Sequence, residues 1–333
     1  MKIAVLGNGG FGTAMAIVAH KAGHEVALWG HDAEYTRAIA RTRENPRYLA
    51  GIPIPREIQV ETDARAVLHG ASAILVAVPT QHLRGTLAQL VTVVPHGVPL
   101  VSLAKGLEQT TALRPSQVLR DVLGPVSPVL ALSGPSHAEE VGRGMPSAVV
   151  LAGEDMVSVQ VLQAALSGGA FRIYRNKDML GVELCGALKN VMAVAAGIAD
   201  GLGYGDNAKA AILSRGIVEM ARYGGAEGAD LHTFFGLAGV GDLAVTAFSR
   251  HGRNRAFGER IGKGETVEQI LATTHTVAEG VWTASVVLAR AKELGVEMPI
   301  CDGVCKVLFG GLPARHAVSA LLERDKKDEI LRF

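Results

Sequence analysis

The sequence predicts a two-domain α/β protein: a doubly wound, mostly parallel sheet over residues 1–177, then an all-helical C-terminal domain over residues 178–333. Three observations carry this. Short β-rich runs alternate with helical stretches through the first half, the rhythm of βαβ units. Those runs are apolar throughout and bounded by Gly and Pro, as strands buried on both faces are. From Asp178 the runs stop, and long helical patterns separated by Gly-rich loops take over.

The elements follow in order. "KIAVLG" (2–7) is the first strand and "FGTAMAIVAHKAG" (11–23) a small-residue helix. "EVALWG" (25–30), "AILVAVP" (73–79), "PLVSLAK" (99–105) and "PVLALSG" (128–134) continue the sheet, with "PSAVVLAG" (146–153) and "FRIYRN" (171–176) as two further strands. The second half reads as helices over 178–200, 206–223, 267–272, 278–294 and 301–309. There is no internal repeat or low-complexity tract.

Bulk properties narrow the function. At 333 residues, 48% hydrophobic and 20% charged, the chain can bury more than one small core. A net charge of +1 and 5% aromatic residues argue against nucleic acid, a charged membrane surface or a base-stacking platform. No run reaches the roughly 18 unbroken apolar residues of a membrane helix, so no membrane insertion is expected. Cys185, Cys301 and Cys305 lack metal-ligand spacing and read as core thiols in a reducing compartment. No metal is expected. The first strand begins at Lys2, which leaves no room for a signal peptide, and the expected location is cytoplasmic.

"LGNGGFGTA" (6–14) places Gly7, Gly9 and Gly12 in GxGxxG spacing, between the first strand and a helix. That context makes it a Rossmann-type dinucleotide loop. Gly7 permits the tight turn, Gly9 lets the backbone approach a pyrophosphate, and Gly12 lets the helix pack on the strand. Helix N-terminal amides then face the anion. The cofactor is NADP or NAD. An acidic residue about 20 positions on binds the ribose 2′-hydroxyl. Here the second strand ends at His31, which tolerates a 2′-phosphate, followed by Asp32, which opposes one. Arg37 and Arg41 read as solvated helix charges.

The chemistry centres on Lys189. In "CGALKNVMAVAAGIADG" (185–201) it shares a helix face with Cys185, Gly186, Met192, Ala193 and Ala196. A lone ammonium on an apolar face is costly to bury. A ketone that receives hydride must also receive a proton on oxygen, and Lys189 is placed as its general acid, and as base in reverse. Asp242, read as lying inside the Gly-rich turn "GLAGVGDLAVT" (236–246), is expected to tune and orient it. Strand ends contribute "VPTQHLR" (78–84), Lys105, and Gly134, Pro135 and Ser136, with Ser136 expected as a helix N-cap. "SRHGRNRAFGER" (249–260) reads as a basic loop clustering Arg250, His251, Arg253, Asn254 and Arg255, suited to a phosphate. Chemistry is expected in a cleft between the domains, outside the carboxyl ends of the strands.

Eight stretches, "GNGGFGTA", "VAVPTQHLR", "SLAKGLE", "SGPSHAEEV", "ELCGALKNVMAVAAGIADGLGYGDNAKAAILSRG", "GLAGVGDLAVT", "GRNRAFG" and "VAEGVWT", agree in order and spacing with one family. Over essentially its whole length the chain resembles NAD(P)-dependent glycerol-3-phosphate dehydrogenase of the bacterial type. The resemblance implies reversible reduction of dihydroxyacetone phosphate to sn-glycerol 3-phosphate, supplying glycerophospholipid synthesis, by a homodimer that needs no metal. It implies that Lys189 is the catalytic acid/base. It also implies that Lys105, Gly134, Ser136, Asp242, Gly252, Arg253 and Asn254 line the substrate. Gly10, Phe11, His31, Lys105, Ala138, Arg253, Val277 and Glu279 match cofactor-contacting positions. Two positions depart from the family: Gly252 stands where Ser is common, so a hydroxyl contact is lost, and His137 stands where an aromatic is usual. Two other readings follow from the residues. A related lysine-dependent dehydrogenase would grip a small keto or hydroxy acid with the same basic segment. A dinucleotide-sensing binding module would lack the proton donor that Lys189 supplies.

Overall fold

The computed structural model describes residues 1–125, 127–249, 252–274 and 278–325. The chain forms two compact units, Met1–Lys105 with Leu113–Met179, and Gly106–Ala112 with Leu180–Phe333.

The first unit is built on one eight-stranded sheet. Its strands are β1 (Lys2–Leu6), β2 (Glu25–Trp29), β3 (Gln59–Glu61), β4 (Ala73–Val76), β5 (Leu100–Ser102), β6 (Val129–Ser133), β7 (Ser147–Gly153) and β8 (Phe171–Asn176). They lie in the order β3-β2-β1-β4-β5-β6-β7-β8. All neighbours are parallel except β6 and β7, which run antiparallel. The order reverses beside β1, so the loops after β1 and β4 open at a topological switch point, where α/β sheets bind ligands.

Helices cover both faces of this sheet: α1 (Gly10–Lys21), α2 (Ala33–Thr42), α3 (Ala64–Leu68), α4 (Thr80–Leu90), α5 (Pro115–Leu123), α6 (Ala138–Arg143) and α7 (Met156–Leu166). The period-2 alternation of each strand sorts its side chains between two cores. Ile3, Val5, Val26, Leu28, Ala73 and Leu75 pack with Met15 and Ile17 of α1, Ile39 of α2 and Leu162 of α7. Ala4, Leu6, Ala27, Ile74 and Val76 pack on the other face with Val67 of α3, Leu83 and Leu87 of α4 and Leu119 of α5. Each fully buried Leu or Ile contributes roughly 1.5–3 kcal/mol, which makes these two layers the main stabilising term of the unit.

The second unit is helical: α8 (Met179–Gly201), α9 (Asp206–Ala226), α10 (Leu231–Phe234), α11 (Asp242–Phe248), α12 (Arg253–Gly262), α13 (Val267–Thr273), α14 (Glu279–Glu293), α15 (Pro299–Phe309) and α16 (Ala314–Leu322). The long helix α8 is predominantly apolar, with Glu183, Lys189 and Asn190 as its polar exceptions in the buried stretch, and residues 181–199 are all buried. By length and composition α8 would span a membrane, and so would the stretch Leu231–Phe248, although neither is an unbroken apolar run. The most apolar window of α8 is wholly buried inside the protein, whereas that of Leu231–Phe248 is 44% buried.

Two readings from the sequence need correction here. The expected Gly-rich turn around Asp242 is a π-helical turn, Leu237–Gly241, that runs directly into α11 with Asp242 as its first residue. The expected basic loop is helical from Arg253, the first residue of α12. Glycine lowers helix propensity by about 1 kcal/mol per residue, which hid both segments in the sequence. Its use here is close approach. Gly197 and Gly201 of α8 face Gly258 and Gly262 of α12. A Cβ at Gly197 would stand 2.0 Å from the Arg255 carbonyl oxygen, and one at Gly258 2.1 Å from that of Val194.

Candidate active site

In the first unit the nucleotide loop has the geometry its glycines predict. Gly7 turns with φ +113°, and a Cβ there would meet the Ala77 carbonyl oxygen at 2.7 Å. A Cβ at Gly12 would stand 1.9 Å from the Gly7 carbonyl oxygen, so α1 lies tight against the turn. Around Gly9, the N-cap of α1, a Cβ would meet nothing within 4 Å, which leaves open space for an approaching group. The first turn of α1 carries no acidic residue. Its backbone amides and dipole therefore favour an anion, and the residues present fit a dinucleotide pyrophosphate. Gly10 and Ala138, at the starts of α1 and α6, meet: a Cβ on Gly10 would lie 3.4 Å from that of Ala138. Phe11 is half-buried against the core beneath. His31 is exposed just beyond β2.

A buried polar network ties this loop to the segment 45–49. Asn45 donates to the Asn8 carbonyl oxygen at 2.9 Å and to the Thr13 hydroxyl at 2.8 Å. Asn8 in turn donates to Thr36 at 3.0 Å. Nothing in the sequence pattern singled out Asn45, because a buried amide network leaves no period.

Lys105, Gly134 and Ser136 come together at the ends of the paired strands β5 and β6. Lys105 Nζ donates to the Gly134 carbonyl oxygen at 3.0 Å and to Ser136 Oγ at 3.3 Å, and Ser136 Oγ donates to Gly134 O at 2.8 Å. Ser136 is not the N-cap of α6. That position is His137, and the Ser136 hydroxyl serves the lysine cluster instead.

In the second unit Lys189 Nζ lies 2.7 Å from Asp242 Oδ1 and 2.7 Å from Thr246 Oγ1. Lys189 is 6% exposed and Asp242 1%. The buried ammonium is thus compensated by a carboxylate and a hydroxyl, which answers the cost of placing it on an apolar helix. Asp242 is the first residue of α11, continuous with the π turn before it, so the Lys189 ammonium is its counter-charge. Thr246 lies one turn later on the same face and was missed by the sequence reading. It becomes visible once Asp242–Phe248 is recognised as helix.

Asn254, in the first turn of α12, accepts from the Gly280 amide at 2.9 Å. That joins it to the start of α14, whose first residue Glu279 is buried. Arg253, the first residue of α12, is exposed. Gly252 is the N-cap, and a Cβ there would lie 2.9 Å from the Thr246 carbonyl oxygen, so a larger residue requires a small backbone shift. Arg255 does not belong to an anion grip. Its guanidinium bonds Asp200 at 2.9 Å and Glu259 at 2.9 Å, pinning α12 to α8. Arg250, His251 and Val277 lie outside the described residues.

Comparisons with known proteins now bear on this arrangement. Residues 2–159 match the family described as NAD-dependent glycerol-3-phosphate dehydrogenase N-terminus, and residues 178–319 match its C-terminus. The chain is 46% identical over 332 residues to the glycerol-3-phosphate dehydrogenase [NAD(P)+] of Chlorobium phaeobacteroides strain BS1, covering 99% of each. It is also 46% identical over 329 residues to that of Desulfitobacterium hafniense, covering 99% of this chain and 93% of the relative. The crystal structure of glycerol-3-phosphate dehydrogenase from Coxiella burnetii superposes with a TM-score of 0.92 at 36% identity, covering 97% of this chain and 99% of that one.

Proposed function

The chain belongs to the NAD-dependent glycerol-3-phosphate dehydrogenase family, and we propose that it carries out that family's reaction with Lys189 as its proton donor. Dihydroxyacetone phosphate is reduced to sn-glycerol 3-phosphate with NADH or NADPH, reversibly. The observation that carries the mechanistic reading is the Lys189 ammonium, held at 2.7 Å by both Asp242 and Thr246 in a buried setting.

A dinucleotide held by the first unit would supply the hydride. Everything else is asked of the chain. The first turn of α1 would hold its pyrophosphate on backbone amides. Lys189 gives a proton to the carbonyl oxygen during reduction and takes it back during oxidation. Asp242 keeps that nitrogen charged before transfer, and Thr246 fixes its direction. Arg253 and the first turn of α12, which has no acidic residue, suit the phosphate of the substrate. Within the first unit, Lys105 and Ser136 offer a cation and a hydroxyl at the ends of β5 and β6.

The product is a glycerophospholipid precursor, and the proposal extends to a cytoplasmic homodimer. The full burial of the α8 window supports its reading as a core helix and not a membrane span.

Initial rates of NADPH and NADH oxidation with dihydroxyacetone phosphate test this directly, with a 2-keto acid run in parallel. A fast rate with the phosphate ester and a poor one with the keto acid is expected. The reverse preference would point to the carboxylate dehydrogenase reading instead.

A further inference from the structure

Asp32 lies where a dinucleotide fold places its ribose-reading residue, 20 positions beyond Gly12. Alone it would bind a 2′-hydroxyl and repel a 2′-phosphate. It is not alone. Its Oδ1 accepts the Tyr35 amide at 3.0 Å as the N-cap of α2, and its Oδ2 stands 3.6 Å from Arg47 Nη1. That separation exceeds a normal hydrogen bond, so the guanidinium is held near the carboxylate without being locked to it. The Arg47 side chain is 51% exposed, and its five-donor fork keeps capacity for another anion.

Arg47 is also aimed. Its guanidinium stacks on the Tyr35 ring at 4.2 Å, an arrangement that spares side-chain freedom when a ligand arrives. Its backbone amide donates to the Tyr35 hydroxyl at 3.0 Å, and that hydroxyl donates to Asn45 Oδ1 at 2.6 Å. Asn45 is the residue fastened to Asn8 and Thr13 under the nucleotide loop. Tyr48, the residue after Arg47, lays its carbonyl against Gly10, where a Cβ would meet it at 2.5 Å. The arginine is thus positioned by the same network that shapes the loop.

We propose that Arg47 is the residue that admits NADP(H): it neutralises Asp32 and pairs with the 2′-phosphate, while Asp32 serves the 2′-hydroxyl of NAD(H). The inference rests on the dinucleotide-binding reading above and adds a specificity-determining residue to it. It also places the decision away from Arg37 and Arg41, which are exposed on α2.

The test is the dissociation constant of NADPH and of NADH, with 2′-AMP and 5′-AMP as fragment probes, on the full chain and on Arg47→Ala, Arg47→Lys and Arg41→Ala. Arg47→Ala should weaken NADPH and 2′-AMP by about tenfold or more while NADH and 5′-AMP change less than about twofold, the size expected for one charge-assisted bond. Arg47→Lys should recover part of the NADPH loss, and Arg41→Ala should leave the NADPH-to-NADH ratio unchanged. Equal weakening of both cofactors by Arg47→Ala would assign it a purely structural role and overturn the proposal. Failure of the unmodified chain to bind either cofactor would instead overturn the dinucleotide reading itself.

Discussion

The Thr246 hydroxyl oxygen lies 2.7 Å from Lys189 Nζ, the same distance as the Asp242 carboxylate oxygen. Thr246 is therefore a partner of the proposed proton donor and not only a packing residue of α11. Replacing it with Val keeps the shape and removes the acceptor. A hydrogen bond to a charged group is worth about 1.5–3 kcal/mol, so Thr246→Val should lower kcat by roughly 10- to 100-fold. Cofactor affinity should stay near normal, and the pH–rate limb that reports the donor should move. A normal kcat with an unshifted profile would reduce Thr246 to packing.

The buried Lys189–Asp242 pair predicts a non-additive stability pattern. Asp242→Asn leaves an ammonium without its counter-charge and should cost about 3–5 kcal/mol in denaturant unfolding. The double change Lys189→Met with Asp242→Leu removes both charges and should cost less than the single one. Lys189→Ala should cut turnover by orders of magnitude while cofactor titration remains close to normal. If the double variant were the least stable of the set, the pair would be a net stabiliser and the charge-compensation argument would fail.

Helix α12 reaches its place through glycine. Gly258→Ala drives a methyl to 2.1 Å from the Val194 carbonyl oxygen, so α12 must move off α8. Overpacking of this kind costs about 1–3 kcal/mol. Because α12 carries Arg253 and Asn254, the Michaelis constant for the phosphorylated substrate should rise along with the drop in melting temperature. A lower melting temperature with an unaltered Michaelis constant would separate α12 from substrate binding.

Glu219 gives the second unit a pH dependence. It is buried on α9 and accepts the Ile300 amide at 2.7 Å and the Cys301 amide at 3.3 Å, in the first turn of α15. Burial pushes its carboxyl up from 4.5 to about 7, against the opposing pull of those amides and of Arg222 and Arg324. A folded carboxyl that holds its proton to higher pH adds stability below its unfolded value, and that stability is lost as pH rises through about 7. The loss is of order 3 kcal/mol. Glu219→Gln keeps an acceptor for the Ile300 amide and removes the titration. Its unfolding free energy should be flatter than that of the parent between about pH 5 and 8. Parallel curves would mean that Glu219 stays ionised as a cap on α15.

Much of this was legible in the sequence because it rests on period and punctuation. The buried strands announced themselves as apolar runs bounded by Gly and Pro, and Gly7, Gly9 and Gly12 marked the turn from a strand into a helix. Lys189 stood out because a charge interrupts the apolar helix α8. What stayed hidden depends on contacts distant in sequence or on residues that locally disfavour their final state. Three-residue β3 is too short to show alternation. The π turn before Asp242 and the start of α12 are dense in glycine or charge, so they read as loop. Thr246, Asn45 and Arg47 carry no signal until α11 and the segment 45–49 are folded onto their partners.

Residues 106–112 lie in sequence between β5 and α5, yet they group with the unit built from residue 180 onward. The backbone therefore passes from one unit to the other after Lys105, Ala112 and Met179. The two halves are consequently poor units of genetic exchange. A crossover at residue 180 that imports the helical half of a relative leaves the recipient's 106–112 stranded against foreign neighbours. Functional chimeras should be enriched for those that carry 106–112 from the same parent as the helices, which makes this short segment part of the heredity of the C-terminal half.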